Sequence, residues 1–155
     1  MVVIAESFPN EGLDLLLGIV PKGGATLATM YMGLWTTGGT NIATPAATAV
    51  LATQTGVGEA AFPGYARQSI AAGTWGAIST QTIWGQAGAR ACSAPQEVFP
   101  GATGSYATAI NGFFLSNALT GGVAIFYSNF DDTTAIATMA LGDIIKVTPT
   151  YGLLG

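Results

Sequence analysis

The sequence predicts an all-β protein, an antiparallel β-sandwich or barrel with one short N-terminal helix and a long loop excursion. Three observations carry this expectation. Short apolar and aromatic runs recur between Gly and Pro punctuation, only one stretch makes a good helix although residues 46–54 could form another short one, and no internal repeat of about 20–50 residues interrupts the pattern. At 155 residues the chain has the length of one domain, 1–155.

Residues 1–9 read as an N-terminal arm, and SFPNEGLDLLLG (7–18) as the helix. Asn10 is placed to cap it, and Glu11 and Asp14 stand in the first turns, where the helix dipole favours acids. Leu13, Leu16 and Leu17 make one apolar face, and Gly18 ends it. Gly12 weakens such a helix in isolation, so packing must hold it.

After Pro21 the period becomes two. In ATLATMYMGLW (25–35), Leu27, Tyr31 and Trp35 fall on one face and Ala28, Met30, Met32 and Leu34 on the other, the pattern of a strand covered on both sides. Residues 36–63, rich in Thr, Ala and Gly, read as the long loop leaving the core. YARQSIAA and AISTQTIWG read as strands turning at Gly73-Thr74, and QEVFP as a short strand ending at Pro100. YATAINGFFLS, GVAIFYSNF and DIIKVTPTY follow as three antiparallel strands, the first pair joined through Thr120-Gly121-Gly122.

Composition narrows the function. Only 8% of residues are charged and 50% are hydrophobic, against about 25% charged in ordinary globular domains. The uncharged stretches 23–58 and 98–130 are broken by Gly, Thr, Ser, Asn and Gln, which is unlike a membrane-spanning helix. MVVIAESFPNEG lacks the basic start and uninterrupted apolar run of a signal peptide, so none is expected. With net charge −4 and only Lys22, Arg67, Arg90 and Lys146 as bases, no electrostatic footprint for nucleic acid is present. A surface this poor in charge is expected to lie against other subunits.

Candidate chemistry is sparse. Without histidine, Ser-His-Asp and Cys-His pairs and His-based metal sites are excluded, and the single Cys92 forms no intrachain disulfide and reads as a buried thiol. Asp131, Asp132 and Asp143 would come together if strand 123–130 paired with 143–151, offering oxygen ligands to calcium, but no calcium-loop spacing supports this. Asp131-Asp132 reads instead as a turn start. Asp132-Thr133-Thr134 lacks the glycine of an aspartic-protease triplet. Gly18, Lys22 and Gly23-Gly24 miss the phosphate-loop spacing, and Gly56-Val57-Gly58 lacks the third glycine of a dinucleotide loop. Trp35, Trp75 and Trp84, with Tyr65, Tyr106 and Tyr127, could line a sugar site but fit a β-core better. Arg67, in an otherwise uncharged strand, must meet a carboxylate or reach a neighbour. The sequence points to no catalytic, cofactor-binding or metal-ligating residue and to no cofactor.

The order LDLLLG, TLATMYMGLW, PGYARQSI, WGAIS, VFPGATGSYATAINGFFL, ALTGGVAIFY and LGDIIKVTP resembles small tailed-bacteriophage virion proteins of the tail-fibre, head-fibre and capsid-decoration type. The resemblance covers most of residues 12–148, with GYARQ and TGG its most specific parts. Tyr106 stands where that pattern usually has Trp, Ser116-Asn117 replaces a common acid, and the insertion before Gly64 is longer. The resemblance implies a non-enzymatic structural protein of the virion, a decoration or cement subunit that forms a homo-oligomer, such as a trimer, and contacts major capsid or tail proteins. Composition argues against a nucleic-acid or membrane partner, and the resemblance carries no catalytic role to Asp131-Asp132. A tail, baseplate or fibre component and a receptor- or glycan-binding module are the alternatives.

Overall fold

The computed structural model describes residues 6–7, 10, 12, 14, 27–36, 58–83, 86–130 and 135–153. The described chain is built from antiparallel strands, as the all-β expectation requires. They are β1 (Glu6–Ser7), β2 (Thr29–Thr36), β3 (Gly58–Glu59), β4 (Gln68–Ala71), β5 (Ser79–Ile83), β6 (Gln86–Ser93), β7 (Glu97–Phe99), β8 (Gly112–Ser116), β9 (Ala124–Asn129), β10 (Ile145–Val147) and β11 (Thr150–Leu153).

One six-stranded sheet runs β1-β9-β8-β2-β3, with β4 also on β2. Its spine is the pair β8 and β9: GVAIFYSNF supplies β9 as predicted, but of YATAINGFFLS only Gly112–Ser116 is strand, and Tyr106 and Ile110 make isolated bridges to Met139 and Ile136. β8 and β9 are joined through a turn holding Gly121 and Gly122, both with positive φ, and Phe114 faces Tyr127 in register. β2 lies against β8 with Gly33 opposite Phe114 and Leu34 opposite Phe113. The alternation read in β2 divides the interior in two. Met32 and Leu34 join Phe113, Leu115 and Phe126 in the larger cluster, while Trp35 packs with Phe114, Ala124 and Tyr127 in a second one. Residues 32–36 are all buried, so this strand is covered on both faces.

The remaining strands form two small sheets, β10-β7 and β11-β6-β5. Phe99, Ile145 and Val147 enter the larger cluster, and Tyr151 packs on it. The predicted strand DIIKVTPTY is therefore two strands on two partners, β10 on β7 and β11 on β6. Pro149 sits between them. It has no N–H to continue a ladder, but its carbonyl accepts the Ala94 N–H at 3.0 Å. The strands on either side of Gly73-Thr74 also separate, β4 to β2 and β5 to β6, around a 3-10 turn at Ala72–Thr74.

Of the stretch 7–18, Ser7 lies in β1, Asn10, Gly12 and Asp14 are helical, and the rest is outside the described residues. Gly12 is buried against β9, where an added Cβ would collide with the carbonyl oxygens of Ala124 and Ile125. A glycine, unfavourable in an isolated helix, is here the residue that lets the backbone at position 12 lie directly on the sheet. Residues 37–57 of the predicted excursion lie outside the described residues. Its last part belongs to the core, however, because β3 pairs with Trp35 and Thr36 and both Ala60 and Phe62 are buried. No helix of the described residues is long and apolar enough to cross a membrane.

Candidate functional site

The described residues place their one buried charge cluster where the edge of β2 changes partner. β4 pairs with Thr29–Met32 and β3 with Trp35–Thr36, leaving a gap at Gly33 and Leu34. The connecting residues 60–67 leave the edge, bury Phe62, and return to present Tyr65 and Arg67 to that gap.

Arg67 has 2% of its side chain exposed, and Glu59 has 23%. Arg67 Nε donates to Glu59 Oε1 at 2.7 Å and Nη2 to Glu59 Oε2 at 2.6 Å, the fork-on-fork geometry that makes an arginine–carboxylate pair strong. Nη1 donates to the Ala118 and Gly121 carbonyls at 2.6 and 2.8 Å and to Ser116 Oγ at 3.4 Å. The guanidinium carbon lies 5.1 Å from the centre of the Phe114 ring, within cation–π range. An arginine expected to find a carboxylate has done so, together with two turn carbonyls.

Tyr65 completes the network. Its hydroxyl donates to Glu59 Oε1 at 2.8 Å and accepts the Leu34 N–H at 3.1 Å. Its ring stacks on Phe99 with centroids 5.9 Å apart and meets Phe62 edge-on at 5.2 Å. Burial, and after it the negative charge of Glu59, push the phenol far above its ordinary range, so the proton stays on Tyr65. Gly33 makes the arrangement possible. A Cβ there would run into the Phe114 ring and come within 2.8 Å of the Tyr65 hydroxyl oxygen.

Chemically this is a clasp. Both Glu59 oxygens and all three guanidinium nitrogens are engaged within the protein, so the arrangement joins segments more readily than it moves protons. It ties β3, the 60–67 connection and the 117–122 turn together. An open depression of about 340 Å³ beside it is lined by Glu59, Tyr65, Ala66, Arg67, Leu119 and Gly121 among others. The GYARQ and TGG segments, far apart in sequence, meet here through Arg67 and Gly121.

The other residues singled out in the sequence do not converge. β9 has β8 and β1 as neighbours, so the pairing that would bring residues 131–132 to Asp143 does not form. Asp143 Oδ2 accepts the Ala140 N–H at 2.7 Å and closes a turn, while Asp131 and Asp132 lie outside the described residues. No group of three or more potential metal ligands occurs among the described residues. Trp35 and Tyr127 are fully buried, their rings 6.2 Å apart and edge-on. Tyr106 is half-buried and its hydroxyl accepts the Ala61 N–H at 3.3 Å. Trp75 is half-buried elsewhere, and Trp84 lies outside the described residues, so no common sugar platform is formed among those described. Gly58 is a strand residue opposite Thr36. Cys92 is a free, half-buried thiol whose pKa burial raises.

Glu59 was not singled out by sequence reasoning. The available signal was its isolation, since it is the first charge after the uncharged run 23–58 and stands eight positions before Arg67. Compared with known proteins, the chain matches no family model, and no curated protein sequence matches it.

Proposed function

We propose that the chain is a non-enzymatic structural subunit of a bacteriophage virion, a decoration or cement protein that self-associates and bridges coat subunits. In this reading the six-stranded sheet and the two smaller ones form a β-sandwich, with the N-terminal helix on its second face. The observation that carries the proposal is the scarcity of charge, 8% of residues, in a sequence whose motif order resembles such proteins. The exposed apolar side chains support it. Val98, Leu141 and Ile144 are 44%, 74% and 55% exposed and all lie on or beside the β7–β10 pair, where a neighbouring subunit would cover them.

The clasp fits a structural role as well. It fixes the turn carrying Leu119, itself 52% exposed, with a charge network sheltered from salt and solvent. A homo-oligomer such as a trimer, seated on capsid or tail proteins, is the assembly this reading predicts.

The test is twofold. Light scattering on the purified chain is expected to give an oligomer, which Val98→Lys with Ile144→Lys dissociates without unfolding the protein. Electron microscopy of whole particles is expected to place the polypeptide on the head. Density on a tail, baseplate or fibre would replace the cement assignment with that one. A monodisperse monomer at high concentration, absent from particles, would overturn both.

A further inference from the structure

A half-open apolar pocket of about 280 Å³ lies between the six-stranded sheet and β11-β6-β5, away from the clasp. Met30, Leu115, Ile125 and Phe126 supply the wall from the larger sheet together with Leu27 just before β2, and Cys92 and Tyr151, opposite one another in β6 and β11, supply the facing wall. Trp75, just beyond the 3-10 turn, closes one side, and exposed Ala72 marks its rim. The described lining holds no charged residue.

Trp75 is the exception to this apolar character. Its Nε1–H is buried and has no acceptor among the described residues. A buried donor without a partner is costly, of the order of 1–3 kcal/mol, and few such groups persist in native proteins without a reason. The other tryptophan of the described core behaves differently, since Trp35 Nε1 donates to the Ser128 carbonyl at 2.9 Å.

From these observations we infer that the cavity is a binding site for a small, neutral, apolar molecule bearing one hydrogen-bond acceptor, which Trp75 Nε1–H engages. The volume sets the size. An apolar cavity of about 150 Å³ accepts benzene, so about 280 Å³ accommodates a fused two-ring compound or a short branched chain. The uncharged described walls set the charge, because an ion would lose its hydration and gain no partner among the described lining residues. The orphaned indole N–H sets the chemistry, favouring a ketone, ester, ether or alcohol over a pure hydrocarbon. This inference does not depend on the virion reading.

The experiment titrates the full chain, ¹⁵N-labelled, with 2-acetylnaphthalene and separately with naphthalene. The Trp75 indole resonance, identified by its loss in Trp75→Phe, is expected to move saturably with the ketone. Trp75→Phe keeps an aromatic wall and removes the donor, so it is expected to weaken ketone binding about tenfold, the worth of one hydrogen bond, and to leave naphthalene binding unchanged. Ala72→Trp, a change at an exposed rim position, is expected to block both ligands. In the unaltered protein the ketone is expected to slow alkylation of Cys92 by N-ethylmaleimide, a readout that stands even if Trp75→Phe fails to fold. An indole resonance indifferent to the ketone, with Cys92 unprotected, would overturn the proposal. So would a resonance that moves on protein dilution alone, since a second copy would then be filling the cavity.

Discussion

Tyr65 supplies, through its hydroxyl at 3.1 Å, the acceptor for the Leu34 N–H at the point on the β2 edge where β4 has ended and β3 has not begun. Leu34 is fully buried, and its carbonyl is already taken by the Ala60 N–H at 2.9 Å. A side chain thus bridges a break in a backbone ladder. Tyr65→Phe keeps the ring stack on Phe99 but orphans this donor and one lone pair of Glu59. It is expected to cost about 1–3 kcal/mol of unfolding free energy, read as a lower urea midpoint at unchanged slope.

The same hydroxyl predicts an alkaline limit. Its pKa is raised in the folded chain, whereas in the unfolded chain it titrates near the ordinary value of about 10. Below that value both states hold the proton and no stability is lost. Above it the unfolded state releases the proton while the folded state keeps it, so stability falls as pH rises. Urea titrations between about pH 9 and 11.5 in a Cys92→Ser background, which removes the other raised group, are expected to show this. Stability should fall more steeply when Tyr65 is present than in the Tyr65→Phe variant, by up to about 1.4 kcal/mol per pH unit.

Removing one member of the ion pair should harm the fold more than removing both. Glu59→Ala leaves the Arg67 guanidinium buried without its carboxylate and is expected to cost about 3 kcal/mol, somewhat eased by the partial exposure of Glu59. Glu59→Leu combined with Arg67→Met is expected to recover part of that loss. Arg67→Lys cannot span Glu59 and the two turn carbonyls together. Hydrogen exchange is therefore expected to speed up in residues 118–122 in that variant while the β8–β9 ladder stays protected.

Gly33→Ala tests the packing under the clasp. The added methyl meets the Phe114 ring and the Tyr65 hydroxyl, and the expected cost is about 1–3 kcal/mol by thermal or urea unfolding. Phe114→Leu in the same chain opens space and is expected to offset part of it. A neutral Gly33→Ala would mean that the ring can move aside.

Legibility in the sequence followed how local each signal was. β2, β8 and β9 were readable because alternating bulky residues and the Thr120-Gly121-Gly122 turn are encoded within a few positions. β6 was not, because QAGARACS offers only small side chains at its buried positions, where Ala89 and Ala91 carry little apolar weight. β3 was hidden for a related reason. Two residues, Gly58 and Glu59, carry no periodicity, and their strand character comes from the β2 edge beside them.

The sequence by itself determined that the chain is β-rich and poor in charge, that it lacks histidine chemistry, and that Arg67 must find a partner. These follow from composition, short-range spacing and the cost of burying an unpaired cation. Tertiary structure alone decided that the partner is Glu59, that DIIKVTPTY divides between two sheets, and that Leu34 is satisfied by a tyrosine. Each depends on contacts between segments distant in the chain, and hydrogen-bond geometry in a closed interior selects among pairings that local spacing leaves equivalent.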